Sequence, residues 1–278
     1  MIVNQLKLIY DQNKDQNLLY LRNLLKEQLQ YFILNFVYNS IYAESFLFKG
    51  GTCLRFCFDL PRLSEDLDFD VEAYNKFSFE HFSSDLKNYF KSKLKYDELK
   101  VKISGRNKII YLQFPILRSI NFPVNPEKPT DEILFVRIDL APISGEFFQK
   151  EISPKSTPNF SFLITRYSFP DLFAGKIAAI LTRETREGES KIPRFKGRDF
   201  FDLFWFLEKK VPPNFDYLRS LTNLSKLDAI KQLKDKLKQA KKWKKEMKKE
   251  LYFFFADPNF VENFINNFDQ LEKQFNLL

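Results

Sequence analysis

Phe46-Leu47-Phe48-Lys49-Gly50-Gly51-Thr52, followed by Arg62-Leu63-Ser64-Glu65-Asp66-Leu67-Asp68-Phe69-Asp70, is the stretch that decides the fold. A short apolar run ends in a Gly-Gly-Thr turn, and a strand that alternates acid with hydrophobe comes soon after. Successive side chains of a strand point to opposite faces. Asp66, Asp68 and Asp70 therefore share one face, and Leu67, Phe69 and Val71 share the other, toward a core. Two carboxylates two residues apart on a rigid strand suit a divalent metal. A Gly-Gly turn leading into a helix offers bare backbone N–H groups to a phosphate. Together they point to a site for a nucleoside triphosphate and magnesium.

Outward from this stretch, residues 18–43 have helical periodicity with no Pro or Gly. Ser45–Phe48 reads as the first strand, Thr52–Phe58 as a helix and Ser64–Val71 as the acidic strand. Phe79–Leu94 reads as a helix. Leu99–Ser104 and Ile109–Phe114 read as strands joined by a Gly105-Arg106-Asn107 turn. In Leu134–Leu140, Leu134, Val136, Ile138 and Leu140 share one face, while Phe135, Arg137 and Asp139 share the other. Residues 143–165 read as a linker with one strand, Phe160–Ile164. After 166 strand signals stop. Ser168-Phe169-Pro170-Asp171 has capping-box spacing and opens a helix to about Arg186. A charged loop, 187–197, precedes a helix over Arg198–Lys210, and the remainder, including 228–254 and 260–276, is helical. The expected class is α+β: a mixed-sheet core with N-terminal helices over 1–165, then a mostly helical half over 166–278 that completes the active-site cleft.

A chain of 278 residues can bury a full core, and its 44% hydrophobic content is that of a globular protein. Phe occurs 33 times, so single Phe positions carry little weight. The apolar runs are too short to cross a bilayer, and the start of the chain lacks the apolar core of a signal peptide. Cys53 and Cys57 lie four apart on an expected helix, and His81 is the one histidine. Neither disulfide framework nor zinc spacing is present, so the reading is cytoplasmic, with any metal held by oxygen. The net charge of +8 is local: residues 231–249 hold ten lysines against Asp235 and Glu246, and the rest of the chain balances. That segment suits a phosphate backbone, and equally a solvated helix. Trp243 within it reads as a base-stacking residue or as core.

Two-metal chemistry needs carboxylates that bridge ions about 4 Å apart. Asp66 and Asp68 qualify, and Asp139 is the candidate third. The plain alternative for Asp-x-Asp is a solvent-facing edge. Thr52 offers a hydroxyl to phosphate or to its own helix, and Lys49 either pairs with phosphate or lies on the surface. Lys176 and Arg183, seven apart on one helix, share a face.

Lys49-Gly50-Gly51-Thr52-Cys53-Leu54-Arg55 with Arg62-Leu63-Ser64-Glu65-Asp66-Leu67-Asp68-Phe69 resembles the first motif of the AbiEii/AbiGii-type toxin nucleotidyltransferases. These form a branch of the polymerase-β-like nucleotidyltransferase superfamily, related to the MenT toxins. Lys176-Ile177-Ala178-Ala179-Ile180-Leu181-Thr182-Arg183 and Arg198-Asp199-Phe200-Phe201-Asp202-Leu203 resemble its downstream motifs. The resemblance implies that Gly50, Gly51 and Thr52 cradle a triphosphate beside Lys49, Ser64 and Arg198. It further implies that Asp66 and Asp68 bind magnesium (two ions, with manganese as a substitute) and that Lys176 contacts the triphosphate. One of Asp199 and Asp202 is needed for activity, the choice being open, as is the choice among Arg183, Arg186, Arg194 and Arg198 for the substrate-facing arginine. The implied activity is NMP transfer from an NTP to RNA, at the tRNA 3′ end. It would block translation in a toxin–antitoxin or phage-defence pair, with a cognate antitoxin and no membrane association. The alternatives are a phosphotransferase acting on a protein or RNA hydroxyl, with Ser64 a self-target, and a non-catalytic RNA- or partner-binding module.

Overall fold

Leu67, Phe69 and Val71 are buried as their alternation requires, while Asp66 and Asp68 remain half-buried on the opposite face. A computed structural model of the chain describes residues 2–104, 109–187, 190–193 and 195–274. The expected 105–107 turn lies outside the described residues, as do Gly188, Glu189 and Arg194 of the charged loop.

Among the described residues the elements begin with α1 (Ile2–Gln12), α2 (Leu18–Tyr38), β1 (Phe46–Lys49), α3 (Gly50–Phe58), β2 (Asp66–Val71) and α4 (Phe79–Ser92). β3 (Lys100–Ile103), β4 (Ile109–Pro115), β5 (Ile133–Pro142), β6 (Lys150–Thr157) and β7 (Phe160–Tyr167) follow. The helical part comprises α5 (Phe169–Thr182), the strand pair β8 (Glu184–Glu187) and β9 (Ser190–Pro193), α6 (Gly197–Glu208), α7 (Phe215–Thr222) and α8 (Lys226–Ala240). It ends with α9 (Lys244–Leu251), α10 (Pro258–Asn266) and α11 (Phe268–Gln274). The class is α+β.

The sheet runs β3-β4-β5-β2-β1-β7-β6. β2 is central, antiparallel to β1 and parallel to β5, which places Asp68 opposite Lys49 on one side and Asp139 on the other. Register partners project from the same face, so the strand acids are neighbours by construction. Leu134, Val136, Ile138 and Leu140 of β5 are buried, as expected. The same core takes Leu21, Leu25, Leu29, Phe32, Ile33 and Val37 of α2.

The chain divides into two compact units. The α+β unit is Met1–Asp59, Leu63–Ile143 and Ile152–Arg166; the helical unit is Leu60–Arg62, Ser144–Glu151 and Tyr167–Leu278. Two short segments thus join the helical unit from within the first half, which a single cut at 165 does not anticipate.

Three expectations need correction. The linker contains β6, a sheet-edge strand whose mostly exposed residues show no apolar alternation. The helix expected to reach Arg186 stops at Thr182, and the residues beyond it pair as β8 and β9, so strands do occur after 166. The first long helix stops at Tyr38, where Asn39 caps it and the Ser40 hydroxyl turns back to the Val37 carbonyl. No described helix is long and apolar enough to cross a membrane.

Candidate active site

In the α+β unit, the N-terminus of α3 is built on Gly50, whose φ of +77° only glycine adopts without strain. A Cβ at that position would lie 2.2 Å from Asp68 Oδ2. The turn therefore packs directly on the carboxylate, and no residue with a side chain fits between. Lys49 at the N-cap makes no side-chain cap bond. Thr52 is buried and donates its hydroxyl to the Asp66 carbonyl, so it neither caps α3 nor presents its oxygen outward. Lys49 thus supplies no cap to the first amides of α3, and the positive end of the helix favours an anion. Glycine at position 50 brings this start against the acidic strand.

Lys49 Nζ lies 2.5 Å from Asp70 Oδ1, and Asp70 is fully buried. The third acid of the strand is therefore a partner for Lys49 rather than part of an open cage. Ser64 is buried, and its carbonyl accepts from Gln30 Nε2 at 3.0 Å. Asp139 stands beside Asp68 in register, yet its carboxylate takes Arg137 Nε at 2.7 Å and Arg137 Nη2 at 2.5 Å. Among the described residues no three acidic, imidazole or thiol side chains converge on a metal position. Asp66 and Asp68 remain a pair on one face of one strand. That donor set fits magnesium, which keeps several waters and takes one or two carboxylates together with substrate phosphates.

The helical unit holds Lys176, Arg198, Asp199 and Asp202. Asp199 and Asp202, three apart on α6, face Lys176 of α5, whose Nζ lies 3.1 Å from Asp199 and 2.7 Å from Asp202. Arg183 closes on Asp199. Arg62, 140 residues from Asp202 in sequence, grips it with Nε at 2.6 Å and Nη2 at 2.7 Å. Burial by itself would raise the Asp202 carboxyl, but Arg62 and Lys176 outweigh it and hold it at about 2. Burial likewise opposes ionisation of Asp199, and Lys176 and Arg183 bring it below the usual carboxylate range. Burial would lower Lys176, yet Asp202 and Asp199 keep it above its ordinary value, so it stays a cation and cannot act as a base near neutrality.

Three cations face two carboxylates in this cluster, and Arg183 is its most exposed member. One positive charge is left without an acid inside the group. Arg198 is directed elsewhere: its Nε lies 2.9 Å from Glu250 Oε1, and its guanidinium sits 4.3 Å from the Phe254 ring centre. Glu250 also accepts from the Gly197 amide at 2.6 Å. Of the four arginines left open by the sequence, Arg183 is the one joined to Asp199, and the Arg186 and Arg194 side chains lie outside the described residues.

Sequence reasoning missed Arg62 as a partner of the downstream acids. Its signal was a cation just ahead of the acidic strand, within the quoted motif.

Residues 33–271 match the family described as "Nucleotidyl transferase AbiEii toxin, Type IV TA system". The chain belongs to the AbiEii family. AbiEii proteins are nucleotidyltransferase toxins of type IV toxin–antitoxin systems. Among solved structures, JHP933 from Helicobacter pylori is similar at 15% identity and a TM-score of 0.51, covering 91% of each chain. A second H. pylori structure, described as a candidate nucleotidyltransferase, is 16% identical with a TM-score of 0.49, covering 91% of this chain and 96% of that one. Comparison with curated proteins gave no match. At such identities the likeness to JHP933 bears on the AbiEii fold alone.

Proposed function

We propose that this AbiEii protein transfers NMP from an NTP to an RNA hydroxyl at the tRNA 3′ end, releases pyrophosphate, and so blocks translation as the toxin of a toxin–antitoxin or phage-defence pair. The observation that carries this reading is the close approach of Gly50 to Asp68. It joins an anion-attracting helix start to a carboxylate that suits a metal, and a magnesium–triphosphate substrate asks for both. Asp66 and Asp68 are the residues that would hold magnesium. When bound, the metal neutralises triphosphate charge and activates the attacking oxygen.

The protein's own groups supply the rest. The amides at Gly50, Gly51 and Thr52 receive phosphate oxygens. Within the helical unit, Lys176 and Arg183 carry surplus positive charge, of the sign that a triphosphate and a leaving pyrophosphate call for. Asp202 holds Arg62 and Lys176 in place, and Asp199 holds Lys176 and Arg183. Ser64 is buried, which lends no support to a role as phosphoryl acceptor. A cognate antitoxin is the expected protein partner.

The test is incubation of wild type and Asp66→Ala with each labelled NTP, magnesium and total tRNA. Labelled tRNA and pyrophosphate from wild type, at background with Asp66→Ala, are the expected products. ADP with a labelled protein would instead mean phosphoryl transfer. An unchanged toxic effect of Asp66→Ala in cells would mean a non-catalytic module.

A further inference from the structure

We infer that the helical unit seats one nucleotide of the acceptor strand in a recess beside Asp199, its base against Trp243 and its phosphate on Lys196 and Lys236. The inference rests on the reading above for the identity of the strand as an RNA acceptor. Its physical basis is a recess of about 70 Å³ bounded by Ile180, Lys196, Asp199, Lys236, Gln239 and Trp243, which takes part of a nucleotide while the rest lies over the exposed Trp243 ring. The acid in its wall is the one that Lys176 and Arg183 already share.

Aromatic surface is available there. Phe195 lies between Phe200 (ring centres 5.4 Å apart, planes at 17°) and Trp243 (5.9 Å, 20°). These rings form a three-membered stack whose outermost member, Trp243, is 47% exposed. A large ring backed on one side and open on the other is a stacking platform, and Gln239 supplies donors and an acceptor at its edge.

Cationic surface is available too. Neither Lys196 nor Lys236 has an acidic partner within 4 Å among the described residues, and both are half-buried. Burial, with Arg198 and Arg183 nearby, lowers the Lys196 ammonium from its ordinary value, so an anion placed there would relieve an unfavourable charge. Lys231 and Lys234 of the same helix are exposed on its opposite side, so the cationic surface at the recess is that of Lys196 and Lys236. An aromatic platform beside cationic side chains is how single strands are held.

The experiment measures binding of a short fluorescein-labelled single-stranded RNA to the full chain by anisotropy, without NTP or metal. ATP binding in magnesium is followed separately by equilibrium dialysis. Trp243→Ala is expected to weaken RNA binding about tenfold, within the range that base–aromatic stacking supplies, and Trp243→Phe to restore most of it. Lys236→Gln is expected to reduce the slope of log affinity against log salt by about 0.7. ATP binding should be unchanged in all three. Wild-type RNA affinity in a folded Trp243→Ala protein would overturn the inference, and so would loss of ATP binding with RNA binding intact. If Trp243→Ala does not fold, an unchanged salt slope in Lys236→Gln overturns it instead. Asp66→Ala should bind RNA as wild type does. Failure of the transferase reading and failure of this site therefore give different results.

Discussion

Gly50 shows what one residue contributes. Its left-handed φ and the Asp68 carboxylate in the path of any Cβ mean that Gly50→Ala meets two penalties at once. The backbone conformation alone costs an alanine about 1–2 kcal/mol. Relief of the clash displaces Asp68 or the start of α3, and a misplacement of about 1 Å at a reacting centre can lower a rate about a hundredfold. Gly50→Ala is therefore expected to lose most nucleotidyl transfer while unfolding only slightly earlier, as labelled-NTP assays and thermal unfolding would show. A Gly-Gly pair before a helix was legible as a turn. Its contact with Asp68 was not, because register between β1 and β2 decides which strand residue lies beside the turn.

At the scale of the element, α6 is held by charge as well as by apolar packing. Phe200, Phe201, Leu203, Phe204 and Leu207 are buried on it, and Asp199 and Asp202 are buried with them. The Asp202 carboxyl, ordinarily at 3.8, is held at about 2 in the folded chain. A carboxyl lowered by folding stabilises the fold fully above its unfolded value and loses that contribution as pH falls through the folded one. Asp199 is lowered too and acts in the same direction. The helical unit is thus expected to be level in stability above about pH 5, and to lose about 2–3 kcal/mol through Asp202 as pH falls toward 2. Urea unfolding followed by fluorescence of the buried Trp205 measures this. Asp202→Asn should abolish that acid-dependent component, and at neutral pH it should cost about 3–5 kcal/mol because Arg62 and Lys176 lose their shared partner. The amphipathic pattern of α6 was legible, whereas its long-range partner Arg62 was not, since no periodicity links residues so far apart.

For the molecule as a whole, the excess charge resides in one segment, and the structure sorts its lysines. Lys238 faces Asp235, Lys241 faces Asp269 and Glu272, Lys244 faces Asp269 and Lys248 faces Glu262. The other six have no acidic partner within 4 Å among the described residues. An RNA phosphate gains more from an unpaired ammonium than from one already neutralised. Replacing Lys242, Lys245 and Lys249 with Gln should lower the salt slope of RNA binding by about 2, at about 0.7 per contact. Replacing Lys241, Lys244 and Lys248 should change the slope little, though it should loosen α9 against α10 and α11. Filter binding across a salt series separates the two sets.

The sequence by itself determined the α+β class, the face of each central strand, the glycine turn ahead of the acidic strand and the lysine-rich segment. All of these are local: alternation, helical spacing and turn chemistry are set by neighbours along the chain. Tertiary structure alone decided that Gly50 packs on Asp68 and that Asp70 answers Lys49, whereas the Arg137–Asp139 pair, two apart on one strand face, is local. Tertiary structure also decided that Arg62 and Arg183 complete the Asp199–Asp202–Lys176 cluster while Arg198 turns to Glu250. β6 and the β8–β9 pair belong to the same category. Their charged and polar sequences leave no apolar pattern, so strand pairing itself defines them. Which charge meets which is fixed by strand register and helix packing across long separations, and a linear pattern carries no information about either.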